Sequence, residues 1–225
     1  MPIINLVYES VKEWSPWSNT LAYYPLTTAT TNTDQSWNNR NLTVSWITAW
    51  TYAGVDCSLV KWLGTCSITS TTFTAITLNC WFNMNTKSDH YCLVMWLKSW
   101  TATNNTNNTF ILGDFDGRPT NWFWLQYSPS SWWNQSWLWS WTPWTRWVWY
   151  NGCITWDGST IKVYLNWELK TSTSWSTQLA RDAIILWWSS NNSNVYVSNA
   201  IYESKARSEA EITKYYESTK WNYGY

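Results

Sequence analysis

Asp114 and Asp116 stand two apart in LGDFDGRP, the parity that sets two carboxylates on one face of a strand. Retaining glycoside hydrolysis needs such a pair about 5 Å apart. Gly117 and Pro119 follow at once, so the pair also fits a turn in which each aspartate grips its own backbone. The lone histidine, His90, lies beside Asp89 with no nucleophile motif to accompany it, which suits a solvated hairpin turn better than acid-base or metal chemistry. Phosphate-cradling loops and metalloprotease motifs are absent. Sugar recognition asks for an aromatic platform with planar polar groups around it. Asp116, Arg118, Asn121 and Tyr127 supply that mixture in one short stretch, joined by Trp149 if it shares their sheet face. The same residues also read as core aromatics and turn formers.

Cys57, Cys66, Cys80, Cys92 and Cys153 form an odd set without repeated Cys-x-x-Cys spacing, so at least one is a free thiol. Small buried hydrophobes in a reduced compartment account for them. If the flanking strands turn about Thr86, Cys80 and Cys92 lie directly opposite, close enough to pack or to bridge. Fourteen basic and fourteen acidic residues cancel, and 12% of the chain is charged, which argues against nucleic acid or an anionic membrane as partner. No run approaches the roughly 18 apolar residues of a membrane helix. The first residues, MPIINLVYESVKEW, lack the basic and apolar regions of a cleaved signal peptide.

The elements that must position these groups are short and extended. Thr-, Val-, Ile- and aromatic-rich runs separated by Asn, Ser, Asp and Gly clusters predict an all-β antiparallel sandwich. Strands are expected at 21–26, 41–48, 67–84 (breaking in two), 90–97, 108–114, 122–128, 148–156, 160–166, 168–173, 182–187 and 194–203. Residues 1–18 form a β-prone arm suited to pairing with an assembly partner, 19–207 the sandwich, and 208–225 a helix and tail packing on it. Ser208 with Glu211 is a capping box opening that helix.

Trp appears 25 times and Gly only 7, whereas about 16 glycines are ordinary for this length. Many tryptophans sit where turns want glycine: Trp167 in Leu-Asn-Trp-Glu-Leu, Trp37 in DQSWNNRN, Trp187 and Trp188, Trp122 and Trp124, and Trp221 after the helix. This pattern predicts that most Trp letters are UGA codons of a genome that reads UGA as glycine. Trp81, Trp149 and Trp156 lie in strand patterns where an aromatic belongs. The opposing reading is a Trp-rich chain that stacks sugars on its indoles.

The run WVWYNGCITWDGSTIKVYLNWELK, 147–170, resembles the concanavalin A-like lectin/glucanase and laminin-G-like pattern, in which a Trp-led strand meets a Thr-x-Asp-Gly-Ser turn and a Val-Tyr-Leu-Asn-Gly hairpin. Trp149, Thr155, Asp157, Gly158, Tyr164, Leu165 and Asn166 match, and Trp167 matches if read as Gly. LAYYPLTT with DQSWNNRNLT, ITLNCWFNMNT and AIYESKARSEAEI are similar to other parts of that pattern, so the resemblance covers roughly 20–220. It implies a concanavalin A-like jelly roll with a short C-terminal helix. It also implies calcium in the loop that carries Asp34, Asn38 and Asn39, against an Asx-type turn held by its own side chains. The family's Glu-x-Asp-x-x-Glu glucanase strand is missing. The expected function is therefore a non-enzymatic recognition module at a cell surface or virion, binding a glycan or cell-surface ligand. A phage structural component and a polysaccharide hydrolase are the alternatives.

Overall fold

A computed structural model describes residues 19–30, 32–44, 47–60, 64–84, 92–98, 109–114, 122–123, 127–128, 142–143, 147–174, 180–189 and 195–225. The arm at 1–18 lies outside them. The strands are β1 (Thr20–Tyr24), β2 (Thr43–Val44), β3 (Ile47–Tyr52), β4 (Val55–Val60), β5 (Gly64–Thr72), β6 (Ile76–Met84), β7 (Cys92–Lys98) and β8 (Thr109–Asp114). After them come β9 (Trp122–Phe123), β10 (Tyr127–Ser128), β11 (Thr142–Pro143), β12 (Trp149–Trp156), β13 (Thr160–Leu165), β14 (Glu168–Ser174), β15 (Ala180–Ser189) and β16 (Val195–Glu203). Helix α1 (Glu209–Thr219) and a 3-10 turn at Lys220–Tyr223 close the chain.

Two antiparallel sheets carry the fold. One runs β14-β13-β12-β6-β16-β4-β3 with β1 also paired to β16, the other β10-β8-β7-β15-β5-β2. Alternation drives their union. Leu78, Cys80 and Phe82 of β6, Ile154 and Trp156 of β12, and Ile161, Val163 and Leu165 of β13 point to one side, where they meet Met95, Leu97, Ile184 and Leu186 of the second sheet. On β16 the inward set shifts from Val195 and Val197 to Ala200 and Tyr202, because a bulge at Ser198–Ile201 with Asn199 at φ 51° inserts one residue.

The central strands are buried on their other face too. Helix α1 and the tail lay Ile212, Tyr215, Tyr216 and Tyr223 over Trp81, Trp149, Cys153 and Tyr164. Ser208 caps the helix as expected: its hydroxyl accepts the Glu211 N–H at 3.3 Å, and its own N–H donates to Glu211 Oε2 at 2.8 Å. Among the described residues, no helix is long and apolar enough to cross a membrane.

Several expectations need correction. Residues 67–84 do break in two, but β5 and β6 enter different sheets. The same is true of β6 and β7, so Cys80 faces the core beside β12 rather than Cys92, and it is a free thiol. The stretch expected as one strand at 41–48 holds β2 and the first residues of β3, which enter different sheets, and the hairpin of β3 and β4, turning at Ala53 (φ 51°) and Gly54 (φ 80°), continues to Val60, where no strand was expected. Trp187 and Trp188 lie inside β15 and Trp122 begins β9, none of them in a turn. In the 34–41 loop the left-handed residue is Asn39 rather than Trp37, and after the helix it is Gly224 rather than Trp221. At Asn166 (φ 48°) and Trp167 (φ 69°) the chain does fold back with both centres left-handed, the type I′ geometry that favours Asn-Gly.

Candidate functional site

The 34–41 loop, for which a calcium site and a self-held Asx-type turn were the two readings, is organised around one carboxylate. Asp34 is buried; its Oδ1 accepts the Tyr23 N–H at 2.9 Å and the Ser36 N–H at 2.8 Å. Its Oδ2 accepts the Ser36 hydroxyl at 2.7 Å and the Arg40 N–H at 2.8 Å. Asn41 Oδ1 accepts the Asp34 N–H at 2.9 Å, and Asn38 turns its Nδ2 inward to donate to the Thr20 carbonyl at 2.7 Å. Asn39 is exposed at φ 50°. This is the Asx-type arrangement: both Asp34 oxygens already receive protein donors, and Asn38 directs an N–H to the chain.

The outer face of the eight-stranded sheet is aromatic. Trp81 lies between Tyr223 (4.0 Å between ring centres, 9° between planes) and Tyr216 (5.5 Å), and its Nε1 donates to Thr219 Oγ1 at 3.1 Å. Beyond the tail's reach the stack continues toward solvent: Tyr196 on Tyr52 at 4.4 Å and 11°, then Tyr52 on Trp147 at 5.9 Å and 24°. Trp147 is 56% exposed and Trp50, which shares its strand face with Tyr52, 45%. Trp149, expected as a sugar platform, is 3% exposed and packs among Tyr52, Tyr223 and their neighbours. Its ring is part of the floor. The register explains this, since β12 is a central strand and the tail covers that face.

Asp116, Arg118, Asn121 and His90 lie outside the described residues. Tyr127 opens β10 opposite Phe110, and Asp114 ends β8 opposite Cys92. Tyr127 and Asp114 thus belong to the six-stranded sheet, and Trp149 to the eight-stranded one. Sequence reasoning missed Tyr52 and Tyr196 altogether. The signal was present in ITAWTYAGVDCSLV, alternating runs about an Ala-Gly turn, where Trp50 and Tyr52 fall on one face.

Several of the described carboxylates do structural work. Glu203 and Arg207 form a fully buried ion pair, Nε to Oε2 at 2.6 Å and Nη2 to Oε1 at 3.1 Å. Asp157 holds the Asp-Gly-Ser turn by accepting the Ser159 N–H (2.9 Å) and the Thr160 N–H (2.7 Å). These bonds, the Ser159 N–H first, keep its carboxyl below the usual range. Among the described residues, no group of three or more His, Cys, Asp and Glu side chains converges to hold a metal. Burial pushes the Cys57 and Cys153 thiols up to about 12, which keeps both protonated at neutral pH.

No known protein family profile matches the chain, and no curated protein matches it by sequence. Solved structures do match. The binding domain of Paraclostridial Mosquitocidal Protein 1 superposes with a TM-score of 0.67 at 13% identity, over 89% of this chain and 52% of that one. A botulinum neurotoxin type C structure, whose cell entry depends on two ganglioside molecules, gives 0.64 at 10% identity over 89% and 51%. Domain 4 of AbnA, an extracellular GH43 arabinanase from Geobacillus stearothermophilus, in complex with arabinotriose, gives 0.67 at 12% identity, over 87% of this chain and 97% of that one. The chain thus spans about half the length of the toxin domains and nearly all of the arabinanase domain. At these identities the shared property is the fold: the neighbours are binding domains built, like this chain, as a β-sandwich.

Proposed function

We propose that this chain is a non-catalytic recognition module of the concanavalin A-like, laminin-G-like kind, acting at a cell surface by binding a glycan. The observation that carries the reading is the match to AbnA domain 4, an auxiliary domain of a sugar-cleaving enzyme, over almost the whole of both chains. The engagement of Asp34, Asp157 and Glu203 in holding the fold supports the non-catalytic half of it. Asp116, Arg118, Asn121 and Tyr127 remain its proposed polar ligands. A glycan array with the labelled full chain is expected to show binding to at least one polysaccharide. An array blank at every spot, together with no retention on intact cells, overturns the reading.

We infer further that tryptophans in left-handed backbone are glycine in the native protein. Trp167 (φ 69°) and Trp147 (φ 70°) occupy a conformation that a bulky side chain disfavours, whereas Trp81, Trp149 and Trp156 are buried and packed. Intact and peptide mass spectrometry of protein from the source organism decides it. Indoles at 147 and 167 end the idea.

A further inference from the structure

An open edge strand is a template for another strand, and folded proteins guard theirs by keeping them short, charged, bulged or covered. Most edges of the two large sheets are guarded in this way. β2 and β10, at the ends of the six-stranded sheet, are two residues each. β14 pairs with β13 through a bulge at Val163/Tyr164 and carries the charges of Glu168 and Lys170. The outer edge of β1 is covered by the 34–41 loop. There the Tyr23 N–H donates to Asp34 Oδ1, the Tyr23 carbonyl accepts the Gln35 N–H at 2.8 Å, and the Thr20 and Leu21 carbonyls accept the Asn38 amide and the Arg40 guanidinium. Among the described residues β3 has none of these protections. Its six residues, Ile-Thr-Ala-Trp-Thr-Tyr, include no charge and no proline, pair with β4 without a bulge, and are mostly β-favouring types. Thr48, Trp50 and Thr51 are exposed, Trp50 at 45%.

The turn decides which backbone groups of β3 face outward. A two-residue loop, here Ala53 and Gly54, closes on a hydrogen-bonded pair, Tyr52 with Val55, and every second pair along the hairpin is bonded in the same way. Trp50 with Cys57 and Thr48 with Leu59 therefore spend their backbone groups on β4. The N–H and C=O groups of Ile47, Ala49 and Thr51 point the other way, and no described residue bonds them. This spacing is self-complementary. A two-fold axis normal to the sheet at Ala49 sets Ala49 opposite its own copy and Ile47 opposite the partner's Thr51 on either side, so all three outward residues pair. A slip of two residues in either direction leaves only two of the three paired within the strand. The side chains agree with the same register. Thr48 meets the partner's Trp50 on the outer face, Ile47 meets the partner's Thr51 on the core face, and no charge is set against a charge.

We propose that β3 is a self-association edge, at which two copies of this chain pair β3 to β3, antiparallel about Ala49, and join their eight-stranded sheets into one. A two-fold axis normal to the sheet turns both outer faces, each with its helix α1, to the same side. The pair then presents two copies of the module in one direction, which lets both engage a single surface and gain avidity without any new contact to the ligand. The pairing does not depend on what the chain binds, and a blank glycan array leaves it standing.

Sedimentation equilibrium of the full chain over a roughly hundredfold range of concentration is expected to show reversible conversion of the 26.6 kDa chain to twice that mass. Hydrogen exchange read by NMR locates the contact. The amides of Ile47, Ala49 and Thr51 should exchange at least tenfold more slowly in the concentrated protein than in the dilute one, while those of Thr48, Trp50 and Tyr52, bonded to β4 in either state, stay unchanged. Ala49→Pro removes an outward N–H and no bond to β4, and should weaken self-association at least tenfold while the dilute protein still melts cooperatively. Should it fail to fold, Ala49→Lys, which sets like charges against each other at the axis, carries the test with the same expected loss. A single mass at every concentration overturns the proposal, as does a dimer in which the three outward amides exchange fast, or one that both substitutions leave intact. Slow exchange at those three positions in a monomer, lost when residues 1–18 are removed, assigns the edge to the chain's own arm and overturns the pairing of copies.

Discussion

Replacing Asp34 by alanine separates a self-held loop from a calcium site. The carboxylate receives four donors at 2.7–2.9 Å, three of them backbone N–H groups, and Asp34 is buried. A hydrogen bond to a charged group contributes about 1.5–3 kcal/mol, but water entering the vacated space recovers part of that, so four lost together cost about 4 kcal/mol. For a domain of this size about 2–4 °C of melting temperature goes with each kcal/mol, which places the fall for Asp34→Ala at roughly 8–16 °C. Differential scanning calorimetry of both proteins, in EDTA and in millimolar calcium, reads it. The parent is expected to melt at the same temperature in both buffers, and the variant lower by the same amount in both. A fall under about 2 °C would refute the bonding account. A calcium-dependent rise in the parent that Asp34→Ala abolishes would refute the self-held loop and restore the cation.

Three further outcomes follow from buried or bonded groups. Glu203→Gln removes the carboxylate charge from the Arg207 guanidinium where both partners are fully enclosed, so urea denaturation should show a loss of about 3–5 kcal/mol, while Glu203→Met with Arg207→Met recovers most of it; equal losses from the single and double variants would refute the pairing. Cys57, Cys80 and Cys153 are buried thiols held protonated by burial and should resist Ellman's reagent until the chain is unfolded; fast reaction of any of the three in native buffer contradicts the packing. Asp157 has its folded pKa depressed, so its contribution is present above the unfolded value near 4 and lost as pH falls through the folded one; Asp157→Asn should flatten the acid limb of melting temperature against pH below about pH 4, and an unchanged limb would refute the turn's role.

Much of the fold was legible because alternation is a local signal. Ile161, Val163 and Leu165 announce an inward face, Asn166 announces the reversal, and Ser208 with Glu211 announces the helix, all from residues a few positions apart. Pairing partners were not legible. The chain passes from one sheet to the other between β5 and β6 and again between β6 and β7, and nothing local distinguishes such a crossing from a hairpin. Cys80 and Cys92 could be placed opposite on paper because hairpin arithmetic assumes the next strand is the neighbour, whereas β6 is flanked by β12 and β16.

The site was hidden for a related reason. Trp149 reads as a surface platform if only one face of β12 is buried, but the 3-10 tail brings Tyr223 to 5.2 Å from its ring and closes the second face as well. A strand enclosed on both sides loses the polar half of its alternation, and its polar residues become conspicuous for being inside. Asn79 and Asn151 answer that burial by bonding each other, at 3.2 Å in both directions. Asn83, on the same face of the same strand, has no such partner, and the difference between these asparagines cannot be seen in the letters. It depends on which residue stands across the sheet: Asn151 faces a strand position beside an amide, whereas Asn83 faces an indole and a phenol. A polar group enclosed between aromatic rings and left unbonded is a cost that the rest of the fold must offset, and at Asn83 that cost is set by neighbours across the sheet, which no local pattern of letters reveals.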